Sequence, residues 1–255
     1  MNTKEKIYNY YDEYKKFMRV DKMPLIVPVE KHKTHNCDSF ASLDKDFIQG
    51  QGVPIIYVDS LLNYDESFIK SIFFHEFTHI YDANIKFINL DKSSLNVVMD
   101  SFSEYHASQI EMASQLGMKN KNDVFTLSGK FKTGCKMKYK EEITDIQNYI
   151  LYSLADITNV LVNPQGSFSN MPEYLFLKQY VDTERRIFYY YGKYDLYTKY
   201  SGKNMSDLLI NNCSEFSKEI NNIHSILKSK NVINNIDSMK FAIQDFKEKY
   251  FEHFS

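Results

Sequence analysis

Phe68-Ile69-Lys70-Ser71-Ile72-Phe73-Phe74-His75-Glu76-Phe77-Thr78-His79-Ile80-Tyr81-Asp82-Ala83 is the stretch on which the reading of this chain turns. It has the length of a helix, and Phe68, Ile69, Ile72, Phe73, Phe74, Phe77 and Ile80 lie on nearly every side of it. A helix apolar all round belongs in a protein interior. Asn63, with Glu66 three positions on, supplies a capping-box-like start. His75 and His79 stand four apart, so they project from one face and both imidazoles can reach one ion. Two imidazoles and the Glu76 carboxylate inside a buried helix need partners, and a metal ion supplies them.

His75-Glu76-Phe77-Thr78-His79 has H-E-x-x-H spacing, in which the histidines bind zinc and the glutamate takes a proton from water. A catalytic zinc takes three protein ligands and keeps one position open. Glu104 is the expected third ligand; it lies 104 − 79 = 25 positions after the second histidine, enough for a helix to end, turn and send another back. Ala107, one turn later, lets two such helices approach closely. Asp100 and Glu111 are rival ligands. His106 points about 200° away from Glu104 on a helix and reads as a surface or packing histidine.

Upstream, residues 3–19 carry an amphipathic stripe of Ile7, Tyr10, Tyr11, Tyr14, Phe17 and Met18. Leu25–Val29 reads as a strand that Pro28 confines to an edge or bulge, and Ser39–Leu43 as a weaker one. After the Gly50-Gln51-Gly52 turn, Val53–Asp59 is the best strand in the chain. A loop over Asn89–Ser94 leads to a helix over 95–116 that Gly117 ends. Residues 120–140 read as a basic loop or short hairpin, followed by helices near 141–162, 172–192, 205–229 and 235–253. Asn163-Pro164-Gln165-Gly166 and Tyr200-Ser201-Gly202 punctuate them. The fold class is therefore α+β, with an N-terminal lobe over 1–120 and a helical lobe over 121–255 packed against it, or one continuous domain.

The H-E-x-x-H helix followed by a Glu104-Tyr105-His106-Ala107 helix resembles the gluzincin metallopeptidases. The order of strand 55–58, helix 68–79 and helix 104–118 is also similar to the compact phage-immunity and radiation-response metallopeptidases, the ImmA/IrrE group. The resemblance covers residues 53–118 and implies a zincin-like N-terminal lobe, a small mixed sheet over the metal-bearing helix. It implies one Zn2+ per chain held by His75, His79 and Glu104, with Glu76 as general base of peptide hydrolysis. A tyrosine or histidine would steady the oxyanion; Tyr149, Tyr152, Tyr189, Tyr190, Tyr191 and His224 qualify by type. The strand 55–58, an edge in that group, would bind an extended peptide. It further implies a chain of the kind that phages and mobile elements encode. Many gluzincins place an aspartate one turn after the ligand glutamate to orient a zinc-bound histidine; here that position is Ser108. Asp82, Asp100 or Glu111, or the Ser108 hydroxyl, are the candidates to take over. The alternative is a metal-containing regulatory protein that binds partners and cleaves little or nothing.

Composition excludes other classes. The chain has 255 residues, 43% apolar, enough for a sizeable core. A net charge of −2 without a basic field argues against nucleic acid. No apolar run is long enough for a membrane and the N-terminus shows no signal segment, so the expected setting is cytoplasmic. Cys37, Cys135 and Cys213 make no disulfide framework, and the expected partner is a peptide or protein substrate. His32, His35 and Cys37 are too few for a second metal site and read as a polar loop. Lys132, Lys136, Lys138 and Lys140 read as a solvated loop, and the tyrosine-dense 188–200 as core packing.

Overall fold

The computed structural model describes residues 2–30, 41–43, 53–58, 65–123, 136–139, 142–162, 171–202, 208–229 and 231–254. The His32-to-Cys37 cluster, Asn63, Gly50 to Gly52 and Asn163 to Gly166 lie outside them.

Helix α1 (Thr3–Met18) buries the stripe read from its sequence, from Ile7 to Met18. The Asn2 side chain caps its start, and left-handed Arg19 closes it. Strands β1 (Val27–Glu30), β2 (Ala41–Leu43) and β3 (Ile55–Val58) form a mixed sheet in the order β1-β3-β2. β1 runs parallel to β3 and β2 antiparallel to it. Pro28, which lacks an N–H, lies in edge strand β1, where a missing donor is tolerated. The expectation that strand 55–58 is an edge is wrong: β3, fully apolar, is the central strand, hydrogen-bonded on both sides.

Helix α2 (Glu66–Tyr81) carries the histidines. It starts two residues later than an Asn63 cap would set it. The Asp65 side chain accepts from Ser67 N at 3.0 Å, and Glu66 instead takes a hydrogen bond from the Tyr10 hydroxyl. Its back face is locked by α1: Tyr11 meets Phe77 at 4.8 Å between ring centres, Tyr14 meets Phe74 at 5.3 Å, and Phe17 meets Phe74 at 5.4 Å. Each such pair adds about 0.5–1.5 kcal/mol beyond its buried area. The Tyr14 hydroxyl also reaches Thr78 Oγ1 at 3.1 Å, in the interior.

A π turn, Asp82–Lys86, follows α2. Helix α3 (Lys92–Val98) begins inside the expected loop because Asp91 caps it through Ser94 N. A second π turn, Met99–Ser103, separates it from α4 (Glu104–Gln115), so the single helix expected over 95–116 is interrupted. Gly117, at φ 70°, ends it as read.

Strands β4 (Lys136–Tyr139) and β5 (Glu142–Asp145) pair antiparallel, and Asp145 then caps α5 (Ile146–Leu161). Helix α6 (Glu173–Ser201) runs 29 residues, past the stop expected at 192, to a left-handed Gly202. Gly192 is no terminator. A Cβ there would run into Ser108 Oγ and the Tyr105 carbonyl oxygen on α4, so the missing side chain is what lets α6 touch α4. The helix expected over 205–229 breaks at Cys213 into α7 (Leu208–Asn212), a short 3-10 turn and α8 (Ser217–Leu227). Helix α9 (Ile236–Phe254) completes the chain.

The protein is thus mainly helical α+β. α2 packs along α4 and α4 along α6, while one apolar cluster runs from Ile7 in α1 to Phe254 in α9. The tyrosines at 190, 191, 194 and 197 are buried in it. Among the described residues no helix is long and apolar enough to cross a membrane.

Substituting Gly192 by alanine should lower the urea-unfolding free energy by about 1–3 kcal/mol, the range for overpacked cores. An unchanged midpoint would show that the α4–α6 contact is looser than described.

Candidate metal centre

The buried α2 helix presents His75 and His79 toward α4, whose first residue is Glu104. All three are buried, Glu104 with 7% of its surface exposed. Their ligand atoms lie within 4.8 Å of one another, and the three residues could hold a metal ion. His75 Nε2 is 3.1 Å from His79 Nε2, and Glu104 Oε2 lies 3.4 Å from each.

The opposite ring atoms decide how this triad behaves. His75 Nδ1 is 3.1 Å from Glu111 Oε2, an acceptor, so Nδ1 carries the proton. His79 Nδ1 is 2.8 Å from Ser103 Oγ. Both Nε2 atoms face inward, toward each other and toward Glu104 Oε2. That oxygen is buried without a well-formed hydrogen bond. Three ligand atoms converging on one buried place fit a bound cation. Without a metal a proton takes that role. Burial opposes charge on His75, but the neighbouring Glu104 and Glu111 carboxylates outweigh it and raise its pKa to about 10. Burial raises Glu104, yet the His79 and His75 imidazoles hold its carboxyl well below the usual range.

Glu76 is only partly buried. Desolvation raises its pKa against the pull of His75 and His79, so it is a weaker acid than an exposed glutamate.

Helix α6 forms the remaining wall. Arg185 Nε is 3.2 Å from Glu104 Oε1, Tyr189 O–H lies 3.3 Å from His75 Nε2, and Lys193 Nζ sits 4.4 Å over the Tyr149 ring. The Tyr149 hydroxyl donates to Glu111 Oε1 at 2.9 Å. Although burial raises Glu111, Lys193 and His75 pull its pKa down to about 2. Arg185, Tyr189 and Lys193 recur every four residues and so share one helical face. With α6 read as ending at 192, Lys193 fell outside the pattern and the face was not visible.

The candidate orienting residues separate. Glu111 reaches His75 directly. Asp82 is fully buried and lies 3.0 Å from His106 Nδ1. Asp100 is exposed, and its charge acts on Arg185 and Glu184. The Ser108 hydroxyl donates to the Tyr105 carbonyl on its own helix. Ser103, next to Glu104 in sequence, was not singled out.

Of the six candidate oxyanion donors, Tyr189 is the one that reaches the His75 Nε2 atom. Tyr149 is engaged by Glu111, and Tyr152 is half exposed. Tyr190 and Tyr191 are buried in the core, while His224 binds Asp195 and stacks on Tyr191 at 3.7 Å.

No family model, no curated protein and no solved structure matches this chain. The chemistry of the centre therefore stands on these residues.

A divalent metal ion at about 100–1,000 times its dissociation constant should stabilise the protein by about 2.7–4 kcal/mol. The gain should vanish in His79→Ala, read as a denaturation midpoint with and without metal.

Proposed function

We propose that this chain is a zinc-dependent peptidase of the gluzincin type. His75, His79 and Glu104 would hold one Zn2+ per chain, and Glu76 would act as general base. The observation that carries the reading is the convergence of two Nε2 atoms and a Glu104 oxygen in a buried site, with Glu76 on the same turn. A structural zinc site has no use for a carboxylate there. In this reading residues 1–120 form a zincin-like lobe, and the helical lobe of residues 121–255 contributes α6 as a wall of the cleft.

Zinc, when bound, acidifies water and polarises a carbonyl. Glu76 takes the proton of the attacking water and delivers it to the leaving nitrogen. Tyr189 donates its hydroxyl to the developing oxyanion. Burial and the Glu104 and Glu76 charges raise its pKa well above the ordinary value, so the phenol keeps its proton. Arg185 holds Glu104 from the side away from the histidines. Because β3 is internal, an extended peptide would instead add to edge strand β2, which packs against α2.

Glu76→Gln should reduce peptide hydrolysis by at least about 10²–10⁴-fold with zinc content unchanged, measured by metal analysis and proteome-wide cleavage profiling. A Glu76→Gln variant as active as wild type sinks the mechanism. Stoichiometric zinc with no cleavage in the wild type assigns the chain to the partner-binding alternative. Tyr189→Phe should lower kcat about 10²–10³-fold, the loss typical of one oxyanion donor, and leave KM nearly unchanged.

A further inference from the structure

We propose that Tyr149 is a positioning residue for the metal centre: its hydroxyl fixes the Glu111 carboxylate on His75, so that helix α5 orients a ligand carried by α2. The inference rests on the metal-site reading above and deepens it by naming what holds that ligand in place.

The starting point is spacing on α4. Glu104 and Glu111 are 111 − 104 = 7 positions apart. That is about 20° short of two full turns, so one stripe of the helix carries both carboxylates. They reach the same imidazole from its two nitrogens. Glu104 Oε2 lies 3.4 Å from His75 Nε2, and Glu111 Oε2 lies 3.1 Å from His75 Nδ1. A carboxylate on the nitrogen opposite the metal face fixes the tautomer and ring orientation and raises the basicity of the ligating nitrogen. It does so only when it is itself held, because a carboxylate at the end of a glutamate rotates freely about its last torsion.

Tyr149 does the holding. Its hydroxyl donates to Glu111 Oε1 at 2.9 Å, so each carboxylate oxygen has its own donor. A phenol has one proton. With that proton on Glu111, Tyr149 does not serve a substrate oxyanion, the role its residue type suggested. The ring is fixed in turn. Tyr149 is 2% exposed, and the buried Lys193 ammonium of α6 sits 4.4 Å over its centre. Tyr149 stands in the first turn of α5, where Asp145 caps the helix through Asn148 N at 2.8 Å. Gln147, in the same turn, donates its side-chain amide to the Tyr197 hydroxyl of α6 at 2.7 Å. The start of α5 is thus pinned on α6 at the place from which Tyr149 reaches across to α4.

The test uses the full chain and reads metal binding directly. Zinc affinity is measured by competition with a chromophoric chelator, and the Co2+ form by its visible absorption bands. Tyr149→Phe keeps the buried ring under Lys193 and removes only the hydroxyl. It should raise the zinc dissociation constant about 10–100-fold, the loss typical of groups that orient a ligating histidine. It should also shift the cobalt bands, which a merely structural hydrogen bond would leave alone. In a Glu111→Ala background the same substitution should change affinity less than about 2-fold, because the hydroxyl then has no carboxylate to hold. Tyr152→Phe, at a half-exposed position on the same helix, should leave affinity and spectrum at wild-type values. If Glu111→Ala does not fold, the affinity and spectrum of Tyr149→Phe decide alone. Wild-type affinity and spectrum in Tyr149→Phe, or the same fold-loss with and without Glu111, overturn the assignment and leave the zinc reading intact. A wild type that binds neither zinc nor cobalt overturns both.

Discussion

Everything around the centre follows from forcing three lone-pair donors together inside the protein. Hydrogen bonds at the two Nδ1 atoms turn both Nε2 atoms inward, where they meet the Glu104 oxygen. Such a cluster repels itself unless a positive charge sits among its members. The surrounding charges follow from the same constraint. Three carboxylates around the centre have basic partners: Arg185 beside Glu104, Lys193 acting on Glu111, and His106 and Lys86 beside Asp82. Burial raises the stakes of each pairing, because an unpaired charge there would be strongly destabilising.

Holding the cluster together requires close helix packing. α1 grips the back of α2 through Tyr11, Tyr14 and Phe17, leaving its histidine face to α4. α4 in turn meets α6 at Ser108 and Gly192, with no room for a side chain at 192. Glu111 and Ser103 occupy the two Nδ1 atoms.

Much of this was legible in local pattern. The stripe of α1, the apolar α2, the Pro28 edge strand and the Gly117 stop follow from side-chain periodicity and backbone chemistry. So does the approach of Glu104 to the two histidines, which spacing alone made plausible. The failures share a cause. A Gly192 inside a helix looks like a terminator until the neighbouring helix that needs its vacancy is known. The π turns, which touch each other, leave no mark in residue type. Strand 55–58 could be read as a strand, but its place in the sheet depends on partners distant in sequence.

The sequence by itself determined which groups can do chemistry: His75, Glu76 and His79 on one turn, and a glutamate on the next helix at a workable distance. Periodicity and spacing act within one element, so they reach that far. Only the tertiary structure decided which residues surround His75, His79 and Glu104. Glu111, Ser103, Asp82, Arg185, Tyr189 and Lys193 act across helix interfaces, where orientation comes from how whole helices pack and where they depart from regular geometry. The same packing decides the charge on His75, since its proton depends on two carboxylates contributed by another helix.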